Sequence, residues 1–278
     1  MSQLSEKDLA ILAAAVAQLE HPGLARKLAA VVGMPVETLL GWLPDPIQTQ
    51  IVSLSEEALK KALNVAMKTL DDQSPKVPWN LTHKVAATVS GVTGGLFGAP
   101  ALFVELPITT VIILRSIGDI ARAQGEDLSD PAVRLACLEV FALGSGGKRA
   151  PEEAVQSVSE QAQAEEEYIR ASYFVARAAM AQQVTAAAEV LTKGTASGAG
   201  SALTRLISRI ASRFGVAVSQ KAAAQAVPVV GAVGGGLINA LFMDHFQNTA
   251  EAHFRVRKLE RTYGTDAVRQ EYERLAAK

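Results

Sequence analysis

Apolar residues in this chain recur at spacings of three and four and almost nowhere alternate, a helical signature. Leu9, Leu12, Ala13, Val16 and Leu19 mark a first amphipathic helix, with Ser5 as its N-cap and Asp8 three residues on. His21-Pro22-Gly23 ends it, and a second helix over residues 24–32 stops at Gly33 and Pro35. Residues 36–54 hold Pro44, Asp45 and Pro46, so short helical pieces are expected there. Ser55-Glu56-Glu57 reads as the cap of a helix with Leu59, Leu63, Met67 and Leu70 on one face. A linker over residues 71–78 follows.

The pattern then changes. Residues 85–104 carry no charge, and neither do residues 227–243; both runs are rich in glycine. The first predicts a helix over residues 80–97, a break at Gly98-Ala99-Pro100, and a second helix to Gln124 with a kink or a new start at Pro107. Asp130-Pro131 opens a helix by N-cap and N1 logic, closed by Gly144. Residues 145–165 are polar, a loop that becomes a solvated helix. A long helix is expected over 165–192, a flexible connector over 193–201, and helices over 202–214 and on to 226. After Pro228 a helix runs over 231–263, and a short one follows Gly264-Thr265. Residues 227–233 are the one stretch that reads as locally extended. The expected fold is all-α, a multi-helix bundle around the two Gly-rich apolar segments. Residues 1–78 form an N-terminal helical segment packed on a core of residues 79–278.

Composition sharpens this only in places. Hydrophobic residues make up 49% of 278, aromatics 5%, and the net charge is −1. Aliphatic, aromatic-poor content favours helices over sandwiches or barrels. A neutral balance excludes a global field toward nucleic acid, so no nucleic-acid partner is expected. A mean hydropathy of +0.18 is high for a soluble chain and low for a multi-span one. In the runs, Gly91 with Gly95, Gly94 with Gly98 and Gly231 with Gly235 lie four apart, a spacing that lets helix backbones approach. No basic or aromatic anchors bracket the runs, so tight packing is the better reading than a bilayer span. Cys137 is the one cysteine and sits in an apolar run, which suits a packing role and a reducing compartment. Glu6 and Asp8 precede the first apolar run with Lys7 as the lone base, which is not a secretory signal. These features point to the cytoplasm, with peripheral attachment to the inner face of the membrane.

Four ordered blocks carry a family resemblance: GGLFGAPALFVELPITTVIILRSIGDIAR over 94–122, CLEVFALG over 137–144, SYFVARAAMA over 172–181, and the stretch over 207–261 that begins ISRIASRFG. From about residue 84 to 263 the chain resembles the bacterial EcsC family, whose name comes from a gene beside an ABC-transporter operon; residues 1–75 match loosely. The resemblance implies a bacterial, intracellular helical protein with a link to the membrane. It carries over no active site and no cofactor.

Three constellations could carry chemistry. Glu105, Thr109, Ile112, Ser116 and Asp119 share one helix face, and Glu105 lies between two apolar runs with no basic neighbour within a turn. Such a carboxylate is either bonded in the interior or raised in pKa and able to act as acid or base. Arg205, Arg209 and Arg213 form a basic stripe suited to an anionic headgroup or phosphate. His245 and His253 stand two turns apart, about 12 Å along the axis, too far to share one metal, and no metal site is expected.

The leading expectation is a non-enzymatic protein that binds lipid or a membrane surface through an apolar cavity. Its lining would come from Gly91, Gly95, Gly98, Phe103, Glu105 and Thr109 in the first run, and from Gly231, Gly235, Asn239 and Phe242 in the second. One alternative is a hydrolase using Glu105 with Asp119, Glu139 or His245. The other is an adaptor for a membrane transporter complex.

Overall fold

The structure is a computed structural model and describes residues 4–21, 23–43, 45–69, 102–145, 168, 169, 171–193, 196–227 and 231–277. Every regular element among these residues is helical, so the all-α expectation holds. The helices are α1 (Glu6–Glu20), α2 (Leu24–Val32), α3 (Val36–Leu40), α4 (Asp45–Gln48), α5 (Ile51–Thr69) and α6 (Leu102–Ala123). They continue as α7 (Pro131–Leu143), α8 (Tyr173–Lys193), α9 (Ala196–Ala226), α10 (Gly231–Tyr263) and α11 (Thr265–Ala276). The first Gly-rich run, with Gly91, Gly95 and Gly98, the linker at 71–78 and most of the polar stretch 145–165 lie outside the described residues.

Local signals set most helix ends. The Ser5 hydroxyl accepts the Asp8 amide at 3.1 Å and donates to the Asp8 carboxylate at 2.6 Å. Gly33 closes α2 in the left-handed conformation, at φ 78°. Asp130 caps α7 through the Ala132 amide at 2.8 Å, with Pro131 in the first turn.

Several expected boundaries moved. Ser55 is no cap: α5 starts a turn earlier, and the buried Ser55 hydroxyl bonds back to the Ile51 carbonyl at 2.7 Å. Helix α6 starts at Leu102 and runs through Pro107, close enough to its own start that the missing donor costs one bond near the end of the ladder. Helix α8 begins at Tyr173: residues 168 and 169 are helical too, but Ala171 and Ser172 interrupt the run, where Arg213 takes the Tyr168 carbonyl at 2.6 Å and the Ala171 carbonyl at 3.2 Å. The connector at 193–201 is helical from Ala196 on, as the first turns of α9. Extending a helix already nucleated downstream fixes one residue per added bond. Of the stretch 227–233, Gly231 to Val233 are helical, Val227 is not, and 228–230 lie outside the described residues.

Helix α7 sits at the centre, with every residue from Val133 to Leu143 buried. Apart from Arg134 and Glu139 its residues from Val133 to Leu143 are apolar on every side, and such a helix belongs in the interior. Phe141 meets Phe214 of α9 at 4.9 Å and Phe246 of α10 at 5.1 Å between ring centres, in tilted and edge-on contacts. Helices α6, α8, α9 and α10 pack around α7, α5 packs on α6 and α9, and α1 lies along α10. Pairs between α6 and α10 advance together along both helices. Ser116 accepts from Gln247 at 2.7 Å, and Glu126, just past α6, accepts from Arg257 at 2.9 Å. The two helices that leave the Gly-rich runs therefore run parallel, with their starts at the same end of the molecule.

Candidate functional site at the starts of α6 and α10

Glu105 stands in the first turn of α6, 5% exposed, and Lys221 stands in α9, 0% exposed. They meet at 2.5 Å. Gln225, one turn beyond Lys221, donates to the second carboxylate oxygen at 3.0 Å, and Asn239 of α10 also bonds to Glu105. The Lys221 ammonium lies 4.9 Å from the centre of the Phe242 ring. Burial pushes the Glu105 carboxyl upward, but the Lys221 charge and the bonds from Lys221, Asn239 and Gln225 outweigh it and hold the group below the usual range. Glu105 is therefore an ionised, fully engaged group. That removes the raised pKa a general acid or base here would need. Thr109 is buried one turn on, and its hydroxyl finds no partner among the described residues; neither does the Gln225 side-chain oxygen.

The polar knot has an apolar rim. Phe103, Val104 and Ile108 on the first two turns of α6 are 39%, 73% and 45% exposed, and Leu237 near the start of α10 is 46% exposed. Along the same outer face of α6, Val111 and Ile112 are half-buried and Arg115 is exposed. Of the residues expected to line a cavity, Phe103, Glu105, Thr109, Gly235, Asn239 and Phe242 gather at this end. Phe103 points outward while Asn239 and Phe242 are buried. Glu105, Lys221 and Gln225 pack against one another there.

The other candidates separate. Asp119 is fourteen residues along α6 from Glu105, about 21 Å, and pairs with Arg122 at 3.2 Å. The His245 ring bonds to the Gly144 carbonyl at 2.5 Å, and burial pushes its pKa down to about 4. Glu139 is buried in α7, where burial pushes its carboxyl up to about 7 against the attraction of Arg177 and Arg257. Cys137 is buried and its thiol is pushed up to about 12, mainly by burial, so it is inert. Among the described residues no group of three or more His, Cys, Asp or Glu could hold a metal ion.

The arginine stripe is a correction. Arg205 is exposed, and Arg209 is half-buried with its guanidinium 4.7 Å from the Tyr168 ring centre. Arg213 is buried, and its guanidinium donates to the carbonyls of Ala142, Tyr168 and Ala171. It serves the C-terminal end of α7, where unpaired carbonyls attract a cation. The spacing is helical, but α9 passes from surface to core along its length, so the three residues meet three environments.

Two groups of polar residues were not anticipated. One is Lys221 with Gln225. The sequence did hold the signal: Lys221 is the lone charge between Arg213 and Asp244, as Glu105 is between Lys84 and Arg115. The other is a buried network. The Tyr173 hydroxyl and His253 Nδ1 lie 2.9 Å apart, and Arg177 donates to both carboxylate oxygens of Glu260 at 2.8 and 2.9 Å. Glu20 accepts from the Tyr173 amide and the Tyr272 hydroxyl, which ties α1, α8 and α11 together. Its members come from four helices, and no local spacing connects them.

Comparison with curated proteins finds no match, and comparison with solved structures finds none. The model of the EcsC protein family matches residues 7–259, nearly the whole length, and by that match the chain belongs to the EcsC family.

Proposed function

We propose that the protein acts at a membrane surface, attached reversibly through the end of the bundle where α6 and α10 begin. The observation that carries this reading is the outer face of α6. Exposed Phe103, Val104 and Ile108 are followed along the helix by Arg115, with Leu237 of α10 at the same end. Apolar side chains at one level and a basic one beyond them suit insertion into the acyl boundary with a cation at headgroup depth.

Magnitude sets the mode. Four side chains, each losing about half its exposure, contribute about 1 kcal/mol apiece, or about 4 kcal/mol together. That is reversible association, comparable to a single acyl anchor. No helix among the described residues is long and apolar enough to cross a membrane. The Glu105–Lys221 knot supports the reading by holding α6, α9 and α10 rigid behind the rim, so that the face is presented without ordering cost on binding.

The test is co-sedimentation with vesicles of phosphatidylcholine and phosphatidylglycerol. V104E/I108E is expected to bind more than tenfold more weakly than the unmodified protein, because about 2 kcal/mol of burial is lost and two charges must stay hydrated. Equal binding by the two proteins would remove this face from the function.

A further inference from the structure

At the opposite end of α10 the molecule has a cleft that the membrane reading does not use. We propose that this cleft, between the first turns of α1 and the last turns of α10, binds a small soluble phosphate monoester. Its volume is about 380 Å³, within the range of small-molecule sites.

The walls follow from helix periodicity. Lys7 and Ile11 lie four apart on α1. Arg255, Lys258 and Leu259 lie three and four apart on α10. Ile11 and Leu259 make an apolar floor, and Lys7, Lys258 and Arg255 make a cationic rim. The two walls are tied at one end, where the Tyr263 hydroxyl donates to the Asp8 carboxylate at 2.6 Å; the Ser5 hydroxyl donates to the same oxygen.

Charge selects the ligand. Asp8 is the one carboxylate among the lining residues, against three cations. Arg255 is shared with Glu251 at 3.1 Å, but both side chains are more than a third exposed, so that pair is weak and can rearrange. A phosphate monoester carries about 1.5 to 2 negative charges at neutral pH, which matches the excess better than a carboxylate does. Lysines bind phosphate as point charges and do not need the paired geometry of an arginine fork. The apolar floor adds room for the group that the phosphate esterifies.

Position selects the source. From Leu237 to Leu259 the rise along α10 is about 33 Å. A molecule seated on a bilayer by the starts of α6 and α10 would hold this cleft away from the headgroups. The cleft's own argument stands without that seating.

Calorimetric titration with phenyl phosphate and with inorganic phosphate tests the proposal. Phenyl phosphate is expected to bind saturably and more tightly than inorganic phosphate, since only the ester reaches the floor. K7A/K258A is expected to weaken it more than tenfold with an unchanged far-UV spectrum, as both lysines are exposed. D8N keeps an acceptor for Ser5 and Tyr263, removes the opposing charge, and is expected to tighten binding about three- to fivefold. Absence of saturable binding, or equal affinity in K7A/K258A, would overturn the site. So would loss of binding to phosphatidic-acid vesicles in K7A/K258A without loss of phenyl phosphate, because the lysines would then serve a lipid headgroup.

Discussion

Glu105 and Lys221 show how one residue's meaning changes with its partner. A carboxylate in an uncharged stretch suggests chemistry until an equally isolated lysine is found 2.5 Å away. The pair is buried on both sides, so its net worth against an apolar pair is small, while breaking it is costly. E105L is expected to destabilise the protein by about 3–5 kcal/mol, because Lys221 would remain as an uncompensated buried charge. E105L/K221M should recover most of that loss. Urea denaturation of the single and double variants gives the coupling directly; additive losses would mean that the two groups do not act as a pair.

At the scale of elements, the close approach of α7 to α10 sets the packing. A Cβ on Gly144 would lie 2.9 Å from the Thr249 hydroxyl oxygen and 3.2 Å from the Phe246 ring. The same turn is held by His245 at the Gly144 carbonyl and by Arg213 at the Ala142 carbonyl. A neutral imidazole and a buried guanidinium thus complete the C-terminal end of a helix that has no access to water. G144A has no soft neighbour to push aside and is expected to cost about 1–3 kcal/mol. A thermal midpoint equal to that of the unmodified protein would show that α10 can shift away freely.

For the whole molecule, buried titratable groups set the response to pH. His245 is pushed down to about 4, and His253 well below its usual value, by burial first and for His253 by Arg177 and Arg257 as well. Their folded pKa values lie below the unfolded 6.5, so the unfolded chain binds more protons as pH falls, and stability is lost from about pH 6.5 downward. Glu139 opposes this. Its folded pKa of about 7 lies above the unfolded 4.5, so it favours the folded state most at low pH and loses that contribution as pH rises through 7. Two histidines against one carboxyl predict a thermal midpoint that falls between pH 6.5 and 4. E139Q should steepen the fall by removing the opposing group. A midpoint that is flat or rising on acidification would show that the histidines are not held neutral.

The sequence alone determined the class of fold and most of the helix ends. Those rest on local matters: spacing of apolar residues, a serine or aspartate cap, a glycine free to turn left-handed at Gly33. It also carried the family, whose match begins at residue 7, inside α1, and so reaches further toward the N-terminus than the blocks that first suggested it. Tertiary structure decided which polar residues meet. Glu105 with Lys221 are 116 residues apart, Arg177 with Glu260 are 83 apart, and Asp8 with Tyr263 are 255 apart. No helical period encodes such pairings, because they depend on how whole helices cross. Arg205, Arg209 and Arg213 make the same point in reverse. Their spacing is regular, yet α9 passes from surface to core beneath it, and burial, not spacing, decides what a charge can do.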